Sequence, residues 1–409
     1  MPDAPLRIAA VSLHTSPLEE PGGADAGGMN VVVLEQSLAL ARAGHRVDLF
    51  TRRSDPAVPA VVEVAEGVRV HHLEAGPPTP LAKSAMEQVI VPFRASLAPL
   101  LAAGAWDLVH SHHWFSGAAA LPVARELGLP HLQSFHSVAA PEGSQTLDAG
   151  EPAESSGRIP GERYASEHSD LVVAVSEAEA RTVQERYAVP GERLAVVRPG
   201  VDVQRFRPAD LSPGARLERP TLLFTARLQP LKAPDLALEV LAHLDAELDA
   251  RLVLAGGISQ DFEDYLGQLR EMAARLGVAD RVEILGSVGR EQLAELMRSS
   301  TMLLLTSWSE TFGLVALEAQ ASGTPTVAWR CAGGVQEAIA PDGLVLDSRD
   351  PDVWAEAVQS LLSDPDRFGE AVASARDFAT GRTWAASASA LAAQYTRLLE
   401  EAPDVKEIP

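Results

Sequence analysis

The chain has 409 residues, enough for about two domains that each bury a core of their own. Its 56 acidic residues outnumber the 34 basic ones, and the net charge of −22 argues against broad binding to nucleic acid or to an anionic membrane, both of which rest on positive fields. A single cysteine, Cys331, excludes an internal disulfide framework or a cysteine-based zinc cage, and no apolar run approaches the roughly 20 residues of a membrane span. The N-terminus MPDAPLRIAA carries no signal-peptide pattern, so a reducing cytoplasm is the expected location.

Short apolar runs predict buried strands at Arg7 to Ser12, Val47 to Thr51, Val68 to Leu73, Leu108 to His110, Leu132 to Phe135 and Leu171 to Val175. Helical segments such as Asn30 to Ala43 and Glu162 to Glu167 alternate with them, which predicts a parallel sheet covered on both faces. Pro, Gly and charge interrupt the pattern near residues 199 to 219, a linker signal. A second alternating set follows, with strands at Thr221 to Ala226, Arg251 to Ala255, Val282 to Leu285, Met302 to Thr306 and Thr326 to Ala328. The expected architecture is α/β: two doubly wound domains, 1 to 205 and 206 to 383, with a cleft between them. The amphipathic helix from Trp384, within a tail of about 384 to 409, is expected to pack back on the first domain.

Ligands in such sheets bind beyond the carboxyl ends of the strands, and the unusual residues sit there. Only three of the basic residues are lysines, and Lys232 follows Arg227 by five positions in FTARLQPLKAPD, between a strand and a helix. A compact point charge kept in an arginine-rich chain reads as a phosphate site. Farther on, SETFGLVALEAQASGTP carries Glu310, Gly313 and Glu318, with a helix expected from about Val315. Two cations and two carboxylates at strand-to-helix junctions are what a nucleotide-sugar site needs: the cations neutralise the diphosphate, one carboxylate binds ribose and the other the sugar. In DAGGMNV, Gly27 and Gly28 close a strand-to-helix loop that lets backbone approach an anion at a helix N-terminus. A ligand-free glycine turn is the plainer reading of those two glycines alone.

The cluster His110, His112 and His113 suggests a metal at first sight, but neighbouring residues on a strand point alternately and no carboxylate stands at ligand spacing. Asp350-Pro-Asp352 and Asp364-Pro-Asp366 read as turns or helix caps.

The stretches SLHTSPLEEPGGADAGGMNV, LVHSHHWFSG, VVRPGVDVQRFRP, ARLQPLKAPD and SETFGLVALEAQASGTP give the chain a resemblance to the family-4 retaining glycosyltransferases of the GT-B fold, two Rossmann-like domains facing a central cleft. Within that family it is most similar to the D-inositol-3-phosphate glycosyltransferases of mycothiol biosynthesis, with sucrose-phosphate synthases further off. The resemblance implies a donor nucleotide-diphosphate sugar, UDP in preference to GDP, as substrate. It implies no cofactor and no catalytic metal. Gly28 then lies against the diphosphate, Arg227 and Lys232 meet its two phosphates, Glu318 accepts the ribose hydroxyls, and Glu310 with the amides of Phe312, Gly313 and Leu314 faces the sugar. Val288 stands in the base-recognition loop where the family has an arginine, which leaves GDP open. His136 matches a histidine beside the reacting carbon.

On the acceptor side the resemblance assigns Asn30, Lys83 and Arg158, with His113 in place of a tyrosine and Ser137 in place of a threonine. A phosphate held by Lys83, Arg158, Ser137 and a protonated His113 makes an inositol phosphate a plausible acceptor. An aminocyclitol or other small nucleophile of secondary metabolism is an alternative acceptor, and a nucleotide-sugar epimerase of the same fold is an alternative enzyme. The partners expected are thus a donor and a small polar acceptor, without nucleic acid or stable membrane association, and a homodimer is compatible with the sequence.

Overall fold

The computed structural model describes residues 4–20, 22, 26–209, 213–258, 262, 264–331 and 333–401. Its first sheet comprises β1 (Arg7–Val11), β2 (Arg46–Arg52), β3 (Val61–Ala65), β4 (Val68–Leu73), β5 (Leu108–His112), β6 (His131–Ser134), β7 (Leu171–Ala174) and β8 (Leu194–Val196), in the order β3-β4-β2-β1-β5-β6-β7-β8. The second comprises β9 (Thr221–Thr225), β10 (Arg251–Ala255), β11 (Val282–Gly286), β12 (Met302–Leu305), β13 (Thr326–Trp329) and β14 (Leu344–Leu346), in the order β11-β10-β9-β12-β13-β14. The pairings within the sheets are parallel apart from β3 with β4, an antiparallel edge pair.

Central strands such as β5, β6, β7 and β12 are buried at every residue, because helices cover both faces. Strands β3 (Val61–Ala65), β8 (Leu194–Val196) and β14 (Leu344–Leu346) lie at sheet edges without a fully buried residue; although largely apolar, they are not among the strands expected from the sequence. The helix expected from Asn30 begins earlier, Gly28–Arg42, and the one expected from Glu162 is the longer Arg158–His168. Within the linker region a short helix, Pro213–Leu217, follows residues 210–212, which lie outside the described residues.

Phe50, Phe93, Phe115 and Phe135 fill the core on one face of the first sheet. On the other face Val31, Leu40 and Leu49 pack with Trp384, Leu391 and Tyr395, so the final helix, Trp384–Glu401, closes the first unit although it follows the second. The remainder of the tail, 402–409, is outside the described residues. Two hydrogen bonds fix the return: Gln36 Nε2 donates to Ser387 Oγ at 3.0 Å and Ser387 Oγ to the carbonyl of Arg198 at 2.7 Å. Among the described residues, no helix is long and apolar enough to cross a membrane.

Candidate active site

A cleft of about 1120 Å³ opens between the carboxyl ends of the two sheets. From the first unit it is lined by Gly27, Gly28, Asn30, Lys83, His113, His136 and Ser137, and from the second by Arg227, Lys232, Glu310, Phe312, Gly313 and Leu314. An adjoining pocket of about 850 Å³ shares Gly27, Gly28, Arg227, Lys232 and Glu310 and adds Val288, Arg290 and Glu318. Residues from seven separate stretches of sequence thus meet at the place where the topology puts ligands.

The glycines form one wall. Gly27 caps the helix Gly28–Arg42, and a Cβ at either Gly27 or Gly28 would meet no protein atom within 4 Å. The space beside their backbone is open toward the cleft, where the first-turn amides favour an anion. Asn30 is buried behind them, and its side chain braces the loop: Nδ2 donates to Thr15 Oγ1 at 2.8 Å and to the carbonyl of Ser16 at 2.6 Å, while Oδ1 accepts from Gly27 N–H at 3.2 Å. Both amide protons are therefore committed inside the protein, and the acceptor contact expected of Asn30 has no free donor to make it.

Opposite, Lys232 ends a short 3₁₀ turn, Pro230–Lys232, and its Nζ lies 2.7 Å from Glu310 Oε1. Ser307 Oγ donates to the same carboxylate oxygen at 2.7 Å. Thr306 Oγ1 bonds the carbonyls of Lys232 and Ala233, so the loop after β12 grips the lysine turn from behind. Gly313, at φ +91°, caps the helix Leu314–Ala321, which starts one residue before the expected position. That left-handed conformation suits glycine and turns the chain so that its amides face the cleft.

In the adjoining pocket Glu318 is 1% exposed and pairs with Arg290 through a 2.6 Å contact between Nη2 and Oε1. One carboxylate oxygen is thus held by an arginine, leaving the other to face the pocket. The sequence reading passed over Arg290, although its position at the start of the helix Arg290–Ser299, two residues after Val288, marks it as a group aimed at the pocket.

His136 has φ +60°, which directs its ring back toward β5, where Nε2 lies 2.9 Å from His112 Nδ1. Burial lowers its pKa to about 3, so the imidazole is neutral. His113, at φ +68°, packs against His14 with ring centroids 4.4 Å apart and the rings tilted by 43°, and neither of its ring nitrogens has a protein partner. Burial first, then His14, Lys83 and Arg158, hold it well below the usual histidine range. The protonated His113 of the sequence reading is therefore corrected to a neutral ring, one donor and one acceptor, suited to hydroxyls. His110 points elsewhere, between Tyr395 and Ser134, so the three histidines do not converge.

Arg158 also departs from expectation. It is fully buried behind the wall, with its guanidinium on Glu154 at 2.7 Å, Glu162 at 2.8 Å and Ser137 Oγ at 3.0 Å. It positions Ser137 and does not line the cleft. Lys83 does line it, 3.0 Å from Glu151. Glu151 is a cleft residue that the sequence reading missed, because its partner stands 68 positions away. Asp350 and Asp364 each accept a backbone N–H at a helix start, the capping role read for them.

Two family descriptions match the chain, "Glycosyltransferase Family 4" over residues 26–205 and "Glycosyl transferases group 1" over residues 210–378. A D-inositol 3-phosphate glycosyltransferase 1 of Catenulispora acidiphila is 39% identical across 97% of both chains. A D-inositol 3-phosphate glycosyltransferase of Streptomyces scabiei is 38% identical across 97% of this chain and 92% of that one. Among solved structures, sucrose-phosphate synthase from Thermosynechococcus elongatus superposes with a TM-score of 0.87 at 26% identity, over 97% of this chain and all of that one. Anabaena HepE in complex with UDP and glucose shares the fold, with a TM-score of 0.75 at 18% identity over 96% of this chain and all of that one. The fold is GT-B, and the chain belongs to the family 4 glycosyltransferases.

Proposed function

We propose that this glycosyltransferase moves a sugar, with retention at the anomeric carbon, from a UDP-sugar to the hydroxyl of an inositol phosphate. The observation that carries the donor half is the meeting of Lys232, Arg227 and Glu310 with the open Gly27–Gly28 backbone across one cleft. Full-length relatives called D-inositol 3-phosphate glycosyltransferases, at 39% and 38% identity, support the acceptor half.

The roles follow from charge. As the bond between sugar and diphosphate breaks, negative charge builds on the departing phosphate; Lys232 and Arg227 supply fixed positive charge there, with the helix N-terminus behind Gly28 adding to it. Glu310 holds the Lys232 ammonium in place until the phosphates arrive, and amides at the start of the helix Leu314–Ala321 bind the sugar. The neutral His136 gives the sugar a hydrogen-bonding ring without a competing positive charge. In a front-face substitution a donor phosphate oxygen takes the acceptor proton, and closure of the units keeps water out. Two cations serve where a divalent metal would otherwise be needed.

The test is product analysis by mass spectrometry after incubation with UDP-sugars or GDP-sugars and inositol phosphate, with and without EDTA. Transfer from a UDP-sugar, retained anomeric configuration and indifference to EDTA are expected. Donor turnover without an acceptor product would favour the epimerase reading.

A further inference from the structure

The acceptor wall carries more negative charge than a phosphate site needs. Lys83 and Arg158 face three carboxylates: Lys83 lies 3.0 Å from Glu151, and Arg158 lies 2.7 Å from Glu154, 2.8 Å from Glu162 and 3.5 Å from Glu151. A dianionic phosphate brought to Lys83 would meet like charge at contact distance, which disfavours binding unless a carboxylate gives way.

Two of the three are locked. Glu162 is buried, accepting the hydroxyl of Tyr187 at 2.5 Å and the N–H of Ala139 at 3.1 Å. Glu154 accepts Trp114 Nε1 at 2.6 Å and is 9% exposed. Glu151 differs on every count. Its side chain is 23% exposed and lines the cleft, and its carboxylate contacts are to Lys83 and, at longer range, Arg158. Its backbone is fixed by a bridge to Ala139 and by Ala140 N–H donating to its carbonyl at 2.7 Å. The main chain is therefore held while the carboxylate can swing about its own side-chain torsions.

We propose that Glu151 is a specificity-determining residue whose carboxylate holds the place on Lys83 that the acceptor's phosphate monoester takes, so that an acceptor is admitted by how well its phosphate displaces this internal anion. Burial works against charge on Glu151, but Lys83, Arg158 and Arg227 together pull its carboxyl well below the usual range, so the anion is present throughout neutral pH. Free orthophosphate, with no ring to add contacts, pays the full displacement and binds poorly. An inositol phosphate recovers the difference through ring hydroxyls at the neutral His113. This inference rests on the phosphate-acceptor reading above.

Glu151→Gln keeps the shape and removes the charge. Calorimetry with inorganic phosphate should show binding about tenfold tighter than wild type, and the KM for inositol phosphate should fall by a similar factor with kcat within about twofold. Adding Lys83→Ala should cancel the gain in phosphate affinity. Unchanged or weaker phosphate binding in Glu151→Gln, or a gain that survives Lys83→Ala, overturns the proposal. Tighter phosphate binding without sugar transfer to inositol phosphate by either protein supports it and instead overturns the acceptor assignment. Should Glu151→Gln fail to fold, Glu151→Asp, which withdraws the carboxylate by one methylene, carries the same test with a gain of about threefold.

Discussion

Lys232 and Glu310 stand 78 residues apart in sequence and 2.7 Å apart in space, Nζ to Oε1, with both side chains more than four-fifths covered. The contact joins the two motifs of the second unit and presents an ammonium already aimed at the cleft. Lys232→Ala should lower kcat by about two or more powers of ten, because the lost interaction strengthens as charge develops on the leaving group. Lys232→Arg should recover little, since Glu310 and Ser307 are arranged around a point charge and not a planar fork. Steady-state kinetics with saturating donor decides it; near-normal kcat in Lys232→Ala removes the leaving-group role.

Glu318 and Arg290 form the corresponding pair in the adjoining pocket, at the far end of the proposed donor site. Arg290 also lies over the ring of Phe206, 4.8 Å from its centroid, so its orientation is set from two sides. Replacing either residue by Ala should weaken UDP binding about tenfold, and the double variant should bind about as poorly as each single one, a coupling of about 1–3 kcal/mol. Calorimetric titration of UDP over the four proteins tests this. Additive losses would mean that the two residues bind the nucleotide independently.

Stability should fall in acid before the carboxylates titrate. Burial lowers the pKa of His110, His131 and His136 to about 3 in the folded state. Their hydrogen bonds agree: Ser134 Oγ donates to the carbonyl of Val173, so it accepts from His110 Nε2, and His110 Nδ1 then accepts the hydroxyl of Tyr395. The unfolded chain binds protons on these rings below about pH 6.5 while the folded chain does not. Stability is therefore complete above that pH and is lost as pH drops toward 3, by up to about 1.4 kcal/mol per pH unit for each ring. Glu179 acts in the opposite sense, since burial raises its pKa to about 7 and its contribution fades as pH rises through that value, and burial raises Glu35 and Glu239 as well; His14, His112 and His113, held well below the usual range chiefly by burial, add to the three rings and keep the balance on the histidine side. Chemical denaturation at intervals from pH 8 to 5 should show the decline; equal stability at pH 6.5 and 5 would contradict neutral buried rings.

That the residues proposed for the donor meet in one cleft was legible because they are unusual for their surroundings. A lysine among arginines and a glycine before an apolar helix both announce a strand-to-helix junction, and the topology brings such junctions together. The acceptor half was not. Arg158 and Lys83 are cations in the sequence whatever surrounds them, and only the folded chain shows that Glu151, Glu154 and Glu162 surround them. His113 could be read as charged until its burial beside Lys83 was visible. Edge strands β3, β8 and β14 escaped as well, although largely apolar: β8 and β14 are only three residues long, and pairing with a neighbour on one side is what marks these segments as strands.

Gly200 is the point where the chain leaving the first unit touches the chain returning to it. Val201 bridges Thr383, Val201 N–H donates to the carbonyl of Arg382 at 2.8 Å, and a Cβ on Gly200 would lie 2.4 Å from both the Thr383 carbonyl carbon and the Trp384 nitrogen. Those are backbone atoms at the start of the final helix, so no rotamer change relieves the overlap and the two segments must part. Parting them pulls Trp384 out of the core it shares with Val31 and Leu40. Gly200→Ala should therefore destabilise by about 2–4 kcal/mol and loosen the final helix from the first unit. Hydrogen exchange locates the effect: protection should drop in the helix Trp384–Glu401 and along its contacts on the helix Gly28–Arg42, while β9 to β14 keep theirs. Because that second helix begins at the Gly27–Gly28 wall, donor affinity should weaken as well. A Gly200→Ala protein with wild-type stability and exchange would show that the crossover tolerates a side chain and does not fix how the units are joined.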